Sequence, residues 1–375
     1  MKNSILRILI TLILASSLTG CHVFRSIFWG GAGRNDYKSF PASVVKTADS
    51  VFNFIKTDIP FEIANPEQAS LLDANTFDSF LKKTKTIAFI VIRNDSLIYE
   101  AYPDGDSSNS IFPSFSVAKS FVSALIGIAI DEGYIKSESD SITKYLTELR
   151  GQGLERVTIR DLLNMRAGLN YKETYLNPFG DASVYYFGTN LKKAISKLKC
   201  AYEPNSRYEY QSAATLLLSL ALEAATKQRV SDYLSIKIWQ PLGMQSDASW
   251  SFDSKNDSII KSFCCLNATA LDFARFGRLW LNRGKWNGQR IISEQYINRA
   301  LSDTLNSKDS QNYPYSHQWR PIHDGSFFAK GVLGQYIFVN PTKQMIIVRL
   351  GRKSDKINWA KIFREIKIHP SKGNH

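Results

Sequence analysis

A chain of 375 residues with 44% hydrophobic and 12% aromatic content has the apolar material for one large core or two modest ones, and its composition is that of an ordinary globular protein. No low-complexity tract and no self-similarity at solenoid or propeller spacing is visible, which argues against a repeat fold. The net charge of +13 raises the question of a nucleic-acid partner, but Lys and Arg are spread along the chain without a binding motif. Part of the excess sits in the first residues and in the tail from Arg349 to Lys372. A basic surface beside anionic lipid or cell-wall polymer accounts for the sign equally well.

The chain opens with Met1-Lys2-Asn3-Ser4 and Arg7, then an apolar run from Ile8 to Leu14, then small residues from Ala15 to Gly20. This is the pattern of an export signal, too short for a comfortable bilayer span. Its end, Leu18-Thr19-Gly20-Cys21, resembles the lipobox of bacterial lipoproteins, which implies lipidation of Cys21 as the mature N-terminus. The chain is therefore expected to be exported and lipid-anchored to the bacterial cell envelope. His22 follows the cysteine, where an aspartate would argue for inner-membrane retention, so an outer membrane is favoured if the cell has one. Residues 21–40, with Gly30, Gly31 and Gly33, read as a tether, and 41–370 as the folded domain.

Phe77 to Lys83 reads as a short helix. Thr86 to Ile92 is a strand rich in β-branched residues, with a turn at Asn94-Asp95 and a hairpin partner from Ser96 to Ala101. A helical middle follows. Val117, Phe121, Leu125, Ile128 and Ala129 recur at helical spacing between Ser116 and Glu132, and Gly133 supplies the stop. Thr158 is placed to cap Ile159 to Met165. Further helices are expected at Ser212–Ala225, Val230–Gln240 and Ala270–Leu281. Strands return at Phe327–Lys330, Tyr336–Val339 and Met345–Leu350, before a last helix near Ile357–Ile366. Strands at both ends around a helical block predict an α/β (α+β) fold. One antiparallel sheet is built from both chain ends and flanked by helices, with a helical lobe inserted at about 134–265. A cleft between sheet and lobe is the expected place for a site.

Besides Cys21 the cysteines are Cys200, Cys264 and Cys265, with no CxxC spacing, so a zinc ribbon or thioredoxin-like motif is not indicated. A disulfide between neighbours is strained, and inert buried thiols are the preferred reading. The five histidines form no HExxH pair and no ligand cluster, so no metal site is expected.

Ser-x-x-Lys occurs at Ser43, Ser79, Ser141, Ser196 and Ser258 as well as at Ser116, and the pattern alone decides nothing. Ser116-Val117-Ala118-Lys119 differs in its setting at the head of a long apolar helix. There, free backbone N–H groups and the positive end of the dipole favour developing negative charge. Lys119 lies on the same face, within reach of the serine oxygen. Desolvation disfavours an ammonium, and a neutral lysine could take the serine proton. An ordinary helix start with a capping serine and a snorkelling lysine accounts for the same local residues.

Phe115-Ser116-Val117-Ala118-Lys119-Ser120-Phe121, with Gly127 and Asp131-Glu132-Gly133 downstream, resembles the first motif of the serine β-lactamase and penicillin-binding-protein superfamily. Val157 to Met165 is similar to that superfamily's "T-x-x-D-L-L" helix. Glu203-Pro204-Asn205 with Tyr208 to Ser212 is similar to its second-motif region, and Ile238 to Met244 to a further block. The matches come in family order over about residues 85–350. Leu266-Asn267-Ala268-Thr269-Ala270, Asp272 to Gly277, Trp286-Asn287-Gly288 and Ala329 to Gln335 are most similar to the class C-like 6-aminohexanoate-dimer (nylon-oligomer) hydrolase group.

The resemblance implies that Ser116 is a nucleophile, Lys119 its base, and Tyr210 a proton relay to the leaving group. Ser212 stands where the family's Tyr-x-Asn element has Asn. A literal Tyr-x-Asn also occurs at Tyr175-Leu176-Asn177, but Tyr210 immediately precedes the helix of the second-motif block; Tyr175 instead resembles a loop tyrosine that contacts substrate in the nylon-oligomer group, and Asn267 and Gly331 are further substrate-binding candidates. The Lys-Thr-Gly motif is absent. Its strand corresponds to Ala329-Lys330-Gly331, so the backbone N–H of Val332 would join that of Ser116 in an oxyanion hole. Lys330 is offset by one residue from the usual cation, and strand alternation predicts a solvated side chain pointing away from the cleft. This departure argues against efficient β-lactam recognition.

The expected function is hydrolysis of a small amide, ester or peptide-like substrate through an acyl-enzyme, with no cofactor, no nucleic acid, and a membrane contact made by the lipid anchor. Alternatives are a D-alanyl carboxypeptidase or weak β-lactamase, and a non-catalytic binding or sensor module on the same fold.

Overall fold

A computed structural model describes residues 22–57, 59, 61–63, 76–302, 305, 307–353 and 356–368. Cys21 and the export signal lie outside the described residues.

The strand Thr86–Arg93 is the spine of the molecule. Along it Ala88, Ile90 and Ile92 turn to one core while Phe89 and Val91 turn to another, as the two-residue strand period requires. All are essentially inaccessible, and full burial of each large apolar side chain contributes about 1.5–3 kcal/mol. A strand buried on both faces must be covered on both faces. The helices Phe77–Lys83 and Trp359–Glu365 cover one side, through Phe80, Trp359 and Phe363. The helix Ala270–Leu281 and the helical lobe cover the other.

The main sheet has seven strands in the spatial order Arg320–Pro321, Phe327–Gly331, Gln335–Asn340, Met345–Gly351, Thr86–Arg93, Ser96–Ala101, Ile55–Lys56. Both parts of the chain contribute, meeting where Ile90 pairs with Val348. Every pairing is antiparallel except that of Ile55–Lys56, which runs parallel to Ser96–Leu97 at the edge. A second sheet, not expected from the sequence, joins Ala42–Val45, Ala248–Ser251, Leu266–Ala268 and Phe112–Pro113. Its strands are only two to four residues long, too short for a periodic signal.

The helix Ala118–Asp131 runs through the centre, buried on every face from Ala118 to Ala129. Gly127 is required there, since a Cβ would stand 2.5 Å from the ring of Tyr296. Thr158 caps Ile159–Leu163 in a reciprocal capping box with Asp161. No helix among the described residues is long and apolar enough to cross a membrane.

Residues 22–40 do not behave as a loose tether. The helix His22–Trp29 lies against the helix Asp181–Phe187, with the Trp29 and Phe187 rings edge to face at 5.7 Å. Arg25 donates to the Phe187 carbonyl at 3.2 Å, and the Tyr186 hydroxyl donates to Asp36 at 3.0 Å. Arg34 pairs with Asp104 and Asp106. Aromatic residues in this Gly-containing stretch give it a face to bury.

Candidate active site

The turn before the central helix sets the site. Phe115 holds φ at +44°, an uncommon conformation for a bulky residue. A short 3-10 turn over Phe115–Val117 precedes the α-helix, which starts at Ala118 and not at Ser116. The strand Phe327–Gly331 closes on this turn so tightly that a Cβ on Gly331 would meet the Ser114 carbonyl oxygen at 2.7 Å and the Ser116 nitrogen at 3.1 Å. Glycine is what lets the strand edge approach Ser116.

Lys119, one helical turn on, donates from Nζ to Ser116 Oγ at 3.2 Å, to Ser212 Oγ at 3.1 Å and to the Phe263 carbonyl at 2.7 Å. Its side chain is buried. Tyr210 stands beside it, with Nζ 5.0 Å from the ring centroid. The tyrosine ring is in turn held edge-on by Tyr315 at 6.0 Å. Ser116, Tyr210, Gly331 and Val332 therefore border one opening, and Lys119 links Ser116 to Ser212.

Glu173 completes the cluster, and sequence reasoning missed it. Its carboxylate accepts from both the N–H and the hydroxyl of Ser212. The available signal was its place two residues before Tyr175, in the loop already singled out. Tyr175 itself is 54% exposed and borders the opening. Burial of its hydroxyl, with the Glu173 carboxylate beside it, pushes that phenol well above its ordinary value.

Two cavities meet at Ser116. The larger, about 740 Å³, is the more polar of the two and is bordered by Tyr208, Tyr210, Asp309, Arg320, Lys330 and Trp359. Arg320 donates to Asp309 at 2.6 Å beneath it. Burial opposes the guanidinium charge, but Asp309 and the neighbouring tyrosines outweigh it and hold Arg320 more firmly protonated than usual. The smaller cavity, about 300 Å³, is lined mainly by apolar side chains. Ser116, Glu173, Tyr175 and Val332 border both.

Three expectations are corrected here. Asn267 is fully buried away from both cavities, and its Nδ2 donates to the Cys265 carbonyl at 3.0 Å and the Ser249 carbonyl at 3.2 Å. It is a brace of the small sheet, because the register that pairs it with Pro113 and Ser249 turns its side chain inward. Lys330 borders the larger cavity, where it donates to Gln311, and does not point away. Cys264 and Cys265 are joined by a disulfide and are not free thiols, while Cys200 is free. The joined pair follows directly on Phe263, whose carbonyl holds Lys119. Among the described residues no group of three His, Cys, Asp or Glu side chains is placed to hold a metal ion.

The family model described as Beta-lactamase matches residues 74–358. The chain belongs to the beta-lactamase family. Within this family of hydrolases the chain is similar to the 6-aminohexanoate-dimer hydrolase of Paenarthrobacter ureafaciens, 26% identical over 300 residues, which cover 73% of this chain and 74% of that protein. A D-aminopeptidase of Brucella anthropi is 29% identical over 135 residues, 36% of this chain and 25% of the relative. A Bacillus anthracis protein, provisionally assigned as a 6-aminohexanoate-dimer hydrolase, superposes with a TM-score of 0.75 at 23% identity, over 87% of this chain and 90% of the other. A class C beta-lactamase superposes with a TM-score of 0.57 at 16% identity, covering 78% of this chain and 98% of its own. At these identities the two structural likenesses establish the beta-lactamase fold, with its sheet, helices and helical lobe.

Proposed function

We infer that this protein is a serine hydrolase that cleaves an amide or ester through an acyl-enzyme on Ser116. The observation that carries the reading is the 3.2 Å contact of Lys119 Nζ with Ser116 Oγ beside the Gly331 strand edge. Lys119, acting as the base, takes the hydroxyl proton as Ser116 Oγ attacks the carbonyl carbon. The carbonyl electron pair moves onto oxygen, where the backbone N–H groups of Ser116 and Val332 stabilise it. Collapse expels the amine or alkoxide, which takes a proton from the Tyr210 hydroxyl as Tyr210 recovers one from Lys119, and the acyl group stays on Ser116. Water then attacks the acyl carbon and gives its proton to Lys119; the bond to Ser116 Oγ breaks, Oγ recovers that proton from Lys119, and the free acid departs. Lys330 on the border of the larger cavity supports a leaving group that carries a carboxylate, as in short peptides or ω-amino acid amides.

Leu18-Thr19-Gly20-Cys21 supports the further proposal that Cys21 is lipidated and that the enzyme works at the cell envelope. Loss of a lipid label on Cys21→Ser would test it.

The experiment for the enzyme is intact-mass and peptide mapping after a fluorophosphonate probe. A stoichiometric adduct on Ser116, absent from Ser116→Ala, is the expected result. An unmodified Ser116 under conditions that label a control hydrolase would replace catalysis with binding.

A further inference from the structure

The smaller cavity has a wall that the family's motifs do not supply: Gly31 and Ala32, from the segment beyond the first helix, reach it. They are held there because the arm is fixed on both sides of them. Trp29 packs on Phe187 and Phe40 before the pair, and Arg34 and Asp36 are tied to the body after it.

Facing them are Phe115, Ala182, Phe187, Phe263 and Leu333. Among the described residues Glu173 is the one charged side chain on this cavity. It borders the larger cavity as well, so it stands at the mouth, occupied by Ser212. At about 300 Å³ the space lies at the small end of ligand pockets. A charged group carried past Glu173 would exchange its water for neutral side chains alone, the unpaired hydroxyls of Tyr171 and Ser183 among them, which is costly.

Which half of a substrate enters is decided by Tyr210. This residue borders only the larger cavity, so the leaving group it protonates departs on that side. The acyl arm is left for the smaller one. Resting on the acyl-enzyme reading above, we propose that the enzyme selects uncharged, apolar acyl groups of short to medium length, and that the N-terminal arm forms the wall that reads them. The relative named for 6-aminohexanoate dimer would place an ω-ammonium acyl arm in the corresponding half of its substrate; this chain disfavours one.

The test compares kcat/KM for the p-nitrophenyl esters of acetate, hexanoate and 6-(trimethylammonio)hexanoate, whose quaternary nitrogen cannot cyclise. With the purified protein, hexanoate is expected to exceed both others by more than tenfold. Ala32→Trp fills the cavity and brings the hexanoate-to-acetate ratio down at least tenfold. Ala32→Leu, a smaller insertion, moves it the same way should the tryptophan variant not fold. Ile27→Ser, on the exposed side of the same arm, keeps the wild-type ratio. Equal rates on acetate and hexanoate, or on hexanoate and its cationic analogue, overturn the proposal while Ser116 still takes the fluorophosphonate. A folded Ala32 variant with the wild-type ratio removes the arm from it. If no ester turns over and Ser116 stays unlabelled, the hydrolase reading fails and this one with it.

Discussion

Ser212 gives both of its polar hydrogens to Glu173, the backbone N–H at 2.6 Å and the hydroxyl at 2.8 Å. With its proton committed there, Ser212 Oγ has only lone pairs left for Lys119 Nζ, 3.1 Å away. Glu173 thus aims the lysine without touching Ser116, as a positioning residue. Glu173→Gln keeps one accepting oxygen and sets an NH₂ against a donor. Hydrogen bonds to a charged group contribute about 1.5–3 kcal/mol, so kcat on an ester should fall about 10- to 150-fold, with KM within about threefold. Fluorophosphonate labelling of Ser116 should slow in parallel. A variant that melts lower but labels and turns over at the wild-type rate would make Glu173 a structural brace.

Tyr210 borders the larger cavity and not the smaller, the side proposed for the leaving group. Its phenol therefore matters in proportion to how badly the leaving group needs a proton. Tyr210→Phe should lower kcat/KM on an anilide or alkyl amide by about 10²–10⁴-fold, the range of general acid catalysis. On p-nitrophenyl acetate, whose phenolate leaves unaided, the loss should be at least tenfold smaller. Equal losses on both substrates would assign Tyr210 to orienting Lys119 and not to protonation.

Gly331 touches the backbone that would hold the oxyanion. A methyl group there meets Ser114 O at 2.7 Å, and one of the two backbones must yield. Gly331→Ala is expected to cost about 10²–10³-fold in kcat, the effect of losing one oxyanion donor. Binding of a substrate-like boronic acid, which mimics the tetrahedral adduct, should weaken with it. A variant retaining kcat would put the oxyanion elsewhere than between Ser116 and Val332.

What the sequence made legible was what is local. Ser116 and Lys119 sit three residues apart where a 3-10 turn runs into the central helix, so their contact follows from local chain geometry. Gly331 is legible because a strand edge that must approach another backbone tolerates little else. Glu173 was invisible because its partner lies 39 residues away, across a loop with no periodicity. The arm was misread for a related reason. Gly30, Gly31 and Gly33 signal flexibility, while Trp29, Phe40 and Phe187 find each other only in three dimensions. Asn267 shows the opposite error, since its block matched the family but the strand register turned its side chain inward.

Asn267 consequently yields a prediction about stability. Its Nδ2 holds Ser249 and Cys265 of the small sheet, and the side chain is wholly buried. Asn267→Ala should cost about 1–3 kcal/mol of folding stability, seen as a Tm several degrees lower. KM for an ester should stay within about twofold. A raised KM at unchanged Tm would return Asn267 to the substrate.

Lys261 ties pH to the seating of the arm. It is fully buried, 3.9 Å from the centre of the Phe40 ring, and donates to the Tyr186 carbonyl. Burial pushes it down to about 7, against the pull of Asp253 and Asp36, with Arg25 adding to the effect. In the unfolded chain it titrates near 10.4. Between these values the unfolded chain carries a proton that the folded one lacks, so stability rises with pH by up to about 1.4 kcal/mol per unit. Below about 7 both states are protonated and the folded protein bears the full cost of a buried cation. Lys261→Met removes this dependence. Urea unfolding at pH 7 and pH 9.5 should therefore show the variant's stability, relative to wild type, falling by more than about 1 kcal/mol across the interval. A constant difference would mean that Lys261 keeps its proton throughout, and that the Tyr186 carbonyl and the Phe40 face stabilise the ammonium enough to offset its burial.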